Sequence, residues 1–413
     1  MFRKFMKLIK TPVEFVRDSY FFKCGYMGLN FKCDNLFVVS NLGQLNQAHS
    51  LIKKERFKNN FLLILYTSKN KVMPEIVKKN VDSGLFSSFA VFRLPNKPSQ
   101  INIKNAIYIN NSYRNIINTL KIKNLFIQSF ERHYALLASY AKSKNIKVNL
   151  IEEGTGTYRY STIHEFNRIF KESLSWKERK QMYCIKHLCF FKNIRPMLSI
   201  YHDYNTIYAA FPHLVPDFFT FRKKEYFFLY DNIKIGEDIR DIKLKYNITS
   251  NDIIFLNQRY KFTSLQCYAK SLLLLLSEFS LKYKCNVFIK LHPKDSEEFK
   301  VTLRNYLKKY KIRSIILIDF YGFTIEPLLI MVKPRFVLGM TSSGLIYSSL
   351  LSKTIQSATI YPILREKIDK ELVEDLDGIG LDVNNDIFSD SDKHFEILSK
   401  FPSTKIISLM DEI

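Results

Sequence analysis

Long apolar runs, turn-forming residues and acidic side chains are all scarce in this chain, and each shortage argues against something. The longest leucine run, Leu272 to Leu276, is far below the roughly 20 apolar residues that span a bilayer, so no transmembrane helix is expected. Only 12 glycines and 12 prolines among 413 residues argue against long disordered linkers, and no internal repeat or low-complexity tract is visible. The six cysteines, Cys24, Cys33, Cys184, Cys189, Cys267 and Cys285, form no CxxC pair or regular frame. Reduced thiols in a cytosolic setting are expected rather than a disulfide scaffold. Asp and Glu number 39 against 63 Lys and Arg, a formal charge of +24. An AT-rich genome accounts for part of this, since Asn, Ile, Phe and Tyr are also abundant. A field this positive still favours a polyanion or an anionic membrane as partner.

Three groupings suggest a ligand or anchor. Cys184, His187 and Cys189 lie close together, but no second ligand pair follows at zinc spacing, so they are read as side chains of a half-buried helix. Asp375-x-Asp377 and Asp390-x-Asp392 fall in polar C-terminal loops with no strand before them. They are read as a solvated face, and no metal is expected. The N-terminal FRKFMKLIK interrupts its apolar residues with Arg3, Lys4, Lys7 and Lys10, unlike a signal peptide. Residues 1–20 are therefore a basic segment with two readings: a short amphipathic helix that places Phe2, Phe5, Met6 and Ile9 in a membrane interface, or a frayed tail.

A chain of 413 residues exceeds what one core usually supports, and 46% apolar content is ample for two. Apolar runs rich in β-branched and aromatic residues alternate with longer helical patterns, which predicts parallel sheets with crossover helices. Strands are expected at Leu36–Ser40, Phe61–Thr67, Phe89–Leu94, Asn124–Ser129 and Val148–Ile151, and then at Ile253–Leu256, Val287–Leu291, Ser314–Ile318 and Phe336–Gly339. Between the sets lies a region read as helical and irregular, with Pro212 and Pro216, followed by the charged stretch Asp238–Asn251. The domain boundary is placed near residue 240. Two Rossmann-like domains follow, 1–240 and 241–385, with 386–413 expected to pack back on the first.

Ligands of open parallel sheets bind beyond the carboxyl ends of the strands. In the first half this rule gathers Asn41, Gly43 and Gln44, then Lys69 and Lys71, then Arg132 and His133, then Glu153, Tyr158 and Arg159. In the second half it gathers Asn257, Gln258 and Arg259, then His292 and Lys294, then Glu326, and finally Ser342 and Ser343. A basic edge with a carboxylate and a polar edge with a histidine are expected to line a cleft between the domains.

Each motif has an ordinary structural reading when taken alone. Thr341-Ser342-Ser343-Gly344 is a good helix N-cap, yet its hydroxyls and N–H groups also suit a phosphate. His292 ends an apolar strand and is fixed by Pro293, with Lys290 on the same face. Glu152 and Glu153 lead into Gly154-Thr155-Gly156, and adjacent strand residues face opposite ways, so one carboxylate is expected to reach a substrate. Arg159 stands where a third glycine would complete GxGxxG, so the turn is not a dinucleotide fingerprint. Together the motifs suit sugar transfer from a nucleotide donor.

FVRDSYFF, VVSNLGQL, LIEEGTGTY, NQRY, KLHPK, TIEP and LGMTSSGLIY resemble the bacterial capsular polysialyltransferases, glycosyltransferase family 38, from about residue 14 to about 360. The resemblance implies a GT-B fold, a CMP-sialic acid donor, inversion at the anomeric carbon and no metal or other cofactor. It also implies a first domain that binds the acceptor and a second that binds the donor, at the cytoplasmic face of the inner membrane with a capsule assembly and export complex. Glu153 resembles the general base, and His292 the catalytic group that contacts, and is suited to protonate, the departing phosphate of CMP. Ser342 and Ser343 resemble phosphate ligands, Glu326 the carboxylate that holds the ribose, and Lys290 and Pro293 the lining of the cytidine pocket. Thr341 belongs to the same motif, while Asn257 and Gln258 join the donor group by the strand-end rule alone.

Lys69, Lys71, Arg132, His133, Arg159 and Gln44 are expected on the acceptor side, where a chain with a carboxylate on every sugar would be held by many screened contacts. The function expected is elongation of a polysialic acid capsule chain at its non-reducing end, with 2,8 linkage expected and 2,9 or alternating linkage left open. A sialyltransferase that adds one or few sugars to lipooligosaccharide is the near alternative, separated by product length. A non-catalytic polyanion-binding protein is the distant one. Against nucleic acid as its ligand stands the lack of any nucleic-acid motif.

Overall fold

The computed structural model describes residues 31–67, 72–95, 97–232, 235–258, 265–292, 295–319, 324–376, 389–402 and 404–408. The chain divides into two compact units, Met1–Leu229 and Tyr230–Ile413.

In the first unit seven strands pair in parallel: β1 (Asn35–Val39), β2 (Asn60–Thr67), β3 (Ser88–Leu94), β4 (Asn124–Ile127), β5 (Lys147–Ile151), β6 (Asp203–Ala209) and β7 (Thr220–Tyr226). Their order is β3-β2-β1-β4-β5-β6-β7. The helices are α1 (Leu42–Glu55), α2 (Val72–Lys79), α3 (Ile103–Leu120), α4 (His133–Ser143), α5 (Ile163–Glu172) and α6 (Trp176–His187). Phe61 to Leu65 of β2 are each at most 1% exposed, because helices cover both faces of a parallel sheet. Phe37 of β1 stacks on Phe126 of β4 with ring centroids 4.3 Å apart. These two strands mark where the strand order reverses, the place where such sheets bind ligands.

The second unit begins with α7 (Glu237–Tyr246) and repeats the plan. Its strands are β8 (Ile253–Leu256), β9 (Val287–Lys290), β10 (Ile315–Ile318), β11 (Phe336–Gly339), β12 (Gln356–Thr359) and β13 (Lys405–Ile406), parallel in the order β10-β9-β8-β11-β12-β13. The helices are α8 (Leu265–Tyr283), α9 (Glu297–Lys309), α10 (Glu326–Val332), α11 (Ser343–Leu351), α12 (Tyr361–Leu376) and α13 (Ser389–Leu398). A Cβ on Gly344 would lie 2.7 Å from Leu256 Cδ1; glycine lets α11 approach the end of β8. The two Rossmann-like sheets are those of a GT-B fold.

Four strands lie beyond those expected. The region read as helical and irregular contains β6 and the edge strand β7, whose TFRKKEY is almost wholly exposed and so lacks an apolar pattern. β12 reads QSAT and β13 has two residues. The units part at Leu229/Tyr230, ahead of the boundary placed near 240, because the charged stretch is α7 and buries Ile239 and Ile242. Of the segment 386–413, expected on the first domain, the described residues 389–402 and 404–408 join the second unit: β13 pairs with β12 and carries Ile407 into that core, where Phe395 also packs. Residues 1–20, Lys69, Lys71, Arg259, Pro293 and Lys294 lie outside the described residues.

Candidate active site

In the first unit the site gathers where the sheet order reverses. β5 ends in two acids whose side chains separate, as the alternation along a strand requires. Glu152 is 2% exposed, and its Oε2 accepts from the Tyr158 hydroxyl and, at 2.6 Å, from the Ala210 N–H. It ties β5 to the end of β6. Glu153 turns the other way into a pocket of about 350 Å³. Gly154 follows at φ 52°, a left-handed conformation that suits glycine. Its 3-10 turn, Gly154–Tyr158, returns Thr157 Oγ1 to accept from the Glu153 N–H at 2.8 Å.

Gln44, 4% exposed in the first turn of α1, donates from Nε2 to Glu153 Oε1 at 2.6 Å. Its other amide atom, Oε1, accepts from the Ser40 N–H at 2.6 Å and the Ser40 hydroxyl at 2.9 Å. A backbone N–H can only donate, so Ser40 fixes the orientation of the Gln44 amide. Gln128, at the end of β4, donates to the Gln44 carbonyl at 2.8 Å. Burial pushes the Glu153 carboxyl up to about 7; the Gln44 donor holds it down and the Glu131 charge raises it further. Glu153 is nonetheless exposed to pocket water, so the rise comes from the protein walls around the pocket and not from full enclosure.

Arg132 lies in the same pocket with φ 56° and ψ −120°, and its guanidinium sits 3.9 Å from the Phe170 ring centroid. Its Nη1 is buried with no hydrogen-bond partner among the described residues. Arg159 lines the pocket 4.0 Å from Glu131. The pocket thus holds two carboxylates, Glu131 and Glu153, beside two guanidiniums. His133 is 6% exposed, and its Nδ1 meets the Tyr113 hydroxyl at 2.9 Å. Burial drives its pKa down to about 4, which leaves it neutral and makes it a poor anion ligand.

In the second unit the strand-end residues form two hydrogen-bonded groups, one around Asp295 and one that joins Thr341 to Gln258. His292 follows β9, and its N–H donates to Asp295 Oδ2 at 2.8 Å. That same oxygen accepts from Asn257 Nδ2 at 2.8 Å, while Asn257 Oδ1 accepts from the Tyr268 hydroxyl at 2.8 Å. Both ends of the Asn257 amide are thereby engaged within the protein. Thr341 Oγ1 donates to Gln258 Oε1 at 3.2 Å. Ser342 caps α11, its Oγ accepting from the Gly344 N–H at 3.3 Å, and Ser343 opens the helix. Such an N-terminus presents N–H groups and a partial positive charge.

Lys290 and Glu326 are each 8% exposed. Burial lowers the Lys290 ammonium to about 8 against the pull of Asp295, Glu326 and Asp319. Burial likewise raises the Glu326 carboxyl, which Tyr230 and Thr324 hydrogen-bond, and its Oε2 has no partner among the described residues. Asp295 and Tyr268, which organise the first of these groups, escape the strand-end rule because one lies five residues past the end of β9 and the other in α8. A carboxylate three residues after the histidine was the available signal. The aspartate of Asp390-x-Asp392 whose side chain is described, Asp392, accepts from Tyr361 at 2.7 Å and from Arg365. No cluster of metal-ligating side chains occurs among the described residues, nor any helix long and apolar enough to cross a membrane.

No curated protein matches the chain. Among solved structures it is similar to UDP-GlcNAc 2-epimerase of Neisseria meningitidis bound to UDP-GlcNAc, at 13% identity over 89% of this chain and 99% of that one, with a TM-score of 0.48. A glycosyltransferase of Rickettsia africae matches at 12% identity over 90% and 94%, with a TM-score of 0.45. UGT89C1 of Arabidopsis thaliana, complexed with UDP, matches at 9% over 89% and 100%, with a TM-score of 0.43. Likenesses this distant carry no argument about activity. The family model of alpha-2,8-polysialyltransferase (POLYST) matches residues 35–360, a span that takes in Gln44, Glu153, His292 and Ser342. The chain belongs to the alpha-2,8-polysialyltransferase family of glycosyltransferases.

Proposed function

We propose that the protein elongates polysialic acid by an inverting, metal-independent transfer from CMP-sialic acid to the non-reducing end of the chain. The observation that carries this reading is Glu153, a carboxylate raised to about 7 in a pocket that also holds Arg132 and Arg159. A base that titrates near neutrality is suited to take a proton from a sugar hydroxyl. The freed oxygen attacks the anomeric carbon of the donor sugar, the bond to CMP breaks, and the electron pair leaves on the phosphate oxygen.

The second unit is assigned the donor. His292 and the α11 N-terminus with Ser342 and Ser343 receive the departing phosphate, and loss of one such donor costs on the order of 100-fold in rate. The unpartnered Glu326 Oε2 accepts from the ribose hydroxyls, and Lys290 lines the nucleoside pocket. Arg132 and Arg159 face the acceptor's carboxylates, and Lys69 and Lys71 are assigned to the same chain. We place the enzyme at an inner membrane surface through residues 1–20, in capsule synthesis. The test is Glu153→Gln: turnover is expected to fall roughly 100-fold to 10,000-fold with donor binding retained. Near-normal turnover would remove Glu153 as the base.

A further inference from the structure

Helix α6 turns its apolar bulk away from the protein. Its inward side is fixed by contacts at helical spacing: Glu178 accepts from the Ile101 N–H at 3.1 Å, Gln181 accepts from the Ile103 N–H at 3.2 Å, and Ile185 is fully buried. At about 3.6 residues per turn, Trp176, Lys180, Tyr183 and His187 fall on the opposite stripe. Trp176 is 72% exposed and Tyr183 64%. The Lys180 ammonium stands 3.6 Å from the Trp176 ring centroid, and the Tyr183 and His187 rings lie 4.3 Å apart. Leu188 and Phe190 extend the exposed apolar surface past the helix end.

Of the 13 exposed large apolar side chains among the described residues, four lie within 176–190. Scattered single residues would need no explanation; a cluster does. Exposed Lys177, Arg179, Lys186 and Lys192 flank it, and the one acid between 176 and 192, Glu178, faces inward. Aromatics interleaved with lysine are unlike the core of a protein–protein interface, where lysine is depleted. They match a helix lying in the headgroup region of a membrane, with amphipathic rings at the boundary and ammonium groups on phosphates.

We infer that this face of α6 docks on an anionic phospholipid surface. The contact is separate from residues 1–20, and it does not depend on the sugar chemistry. Trp176 is the only tryptophan in the chain, which also carries 24 tyrosines, so tryptophan-selective excitation of the full-length protein reads this face alone. Titration with vesicles of phosphatidylcholine plus phosphatidylglycerol is expected to move its emission to shorter wavelength and allow quenching by brominated acyl chains. Vesicles of phosphatidylcholine alone leave it unmoved, and high salt reverses the effect. Tyr183→Ser combined with Phe190→Ser, both exposed and therefore harmless to folding, should weaken the partition roughly tenfold. Protein that sediments with anionic vesicles while Trp176 emission stays fixed would place the contact elsewhere and overturn the inference. So would absence of binding, or a double variant that binds as tightly as the parent.

Discussion

Gln44→Met removes the donor that holds Glu153 ionised while keeping the volume of the side chain. The Gln44 amide stands 2.6 Å from the carboxylate, and a hydrogen bond to a charged group contributes about 1.5–3 kcal/mol. Pocket water also solvates Glu153, so the lower end, about 1.5 kcal/mol, applies, and at about 1.36 kcal/mol per pH unit this equals roughly one unit. Losing the donor disfavours the charged form, so the pKa rises from about 7 to roughly 8. A base must be unprotonated to act. The acidic limb of kcat/KM should therefore move up by about one pH unit, with activity at pH 7 reduced roughly five-fold and largely restored at about pH 9. Initial rates of sialic acid transfer across pH 5 to 10 (about six points) measure it. A uniform loss at every pH, with the limb unmoved, would refute the reasoning. A melting curve controls for the Ser40 N–H, which also loses its partner.

Asp295→Ala should release both His292 and Asn257, which share its Oδ2. CMP affinity by calorimetry is expected to fall on the order of tenfold or more, and unchanged affinity would show that His292 and Asn257 do not depend on Asp295. A half-buried histidine, His49, and a buried one, His133, disfavour the folded state in acid. His49 Nε2 accepts from the Asp82 N–H at 3.3 Å, His133 Nδ1 meets Tyr113, and burial lowers both from 6.5 to about 4. Between pH 4 and 6.5 the folded state thus binds fewer protons than the unfolded one. Their contribution is complete above 6.5 and lost as pH falls to 4. Glu153 acts oppositely, its contribution declining as pH rises from 4.5 to 7. Glu326, also raised by burial, opposes the histidines in the same sense, so the test is a difference: as pH falls from 6.5 to 4, His49→Gln should gain melting temperature relative to the parent, and an equal slope in the two proteins would contradict the assignment.

Much of this was legible because parallel strands announce themselves and end at fixed places. Glu153, His292 and Ser342 stand where the strand-end rule puts them, and alternation along β5 distinguishes Glu153 from Glu152. What stayed hidden has physical causes. β7 carries charge because an exposed edge strand discourages pairing with other chains. β13 has two residues, too few for a pattern. Gln44 was placed at the acceptor by position, but its amide is held by Ser40 and Glu153, a contact 109 residues away in sequence that no local pattern encodes. His133 was placed beside Arg132 by the same rule, yet α4 starts there and turns the ring into the core.

Purified protein given CMP-sialic acid, a short fluorescent oligosialic acceptor and EDTA, with products resolved by chain length, decides whether the assigned chemistry occurs. The proposed chemistry predicts a ladder of long products that forms without added metal. An intact donor with no extended acceptor would contradict that prediction and leave Glu153, Arg132 and His292 without the reaction proposed for them.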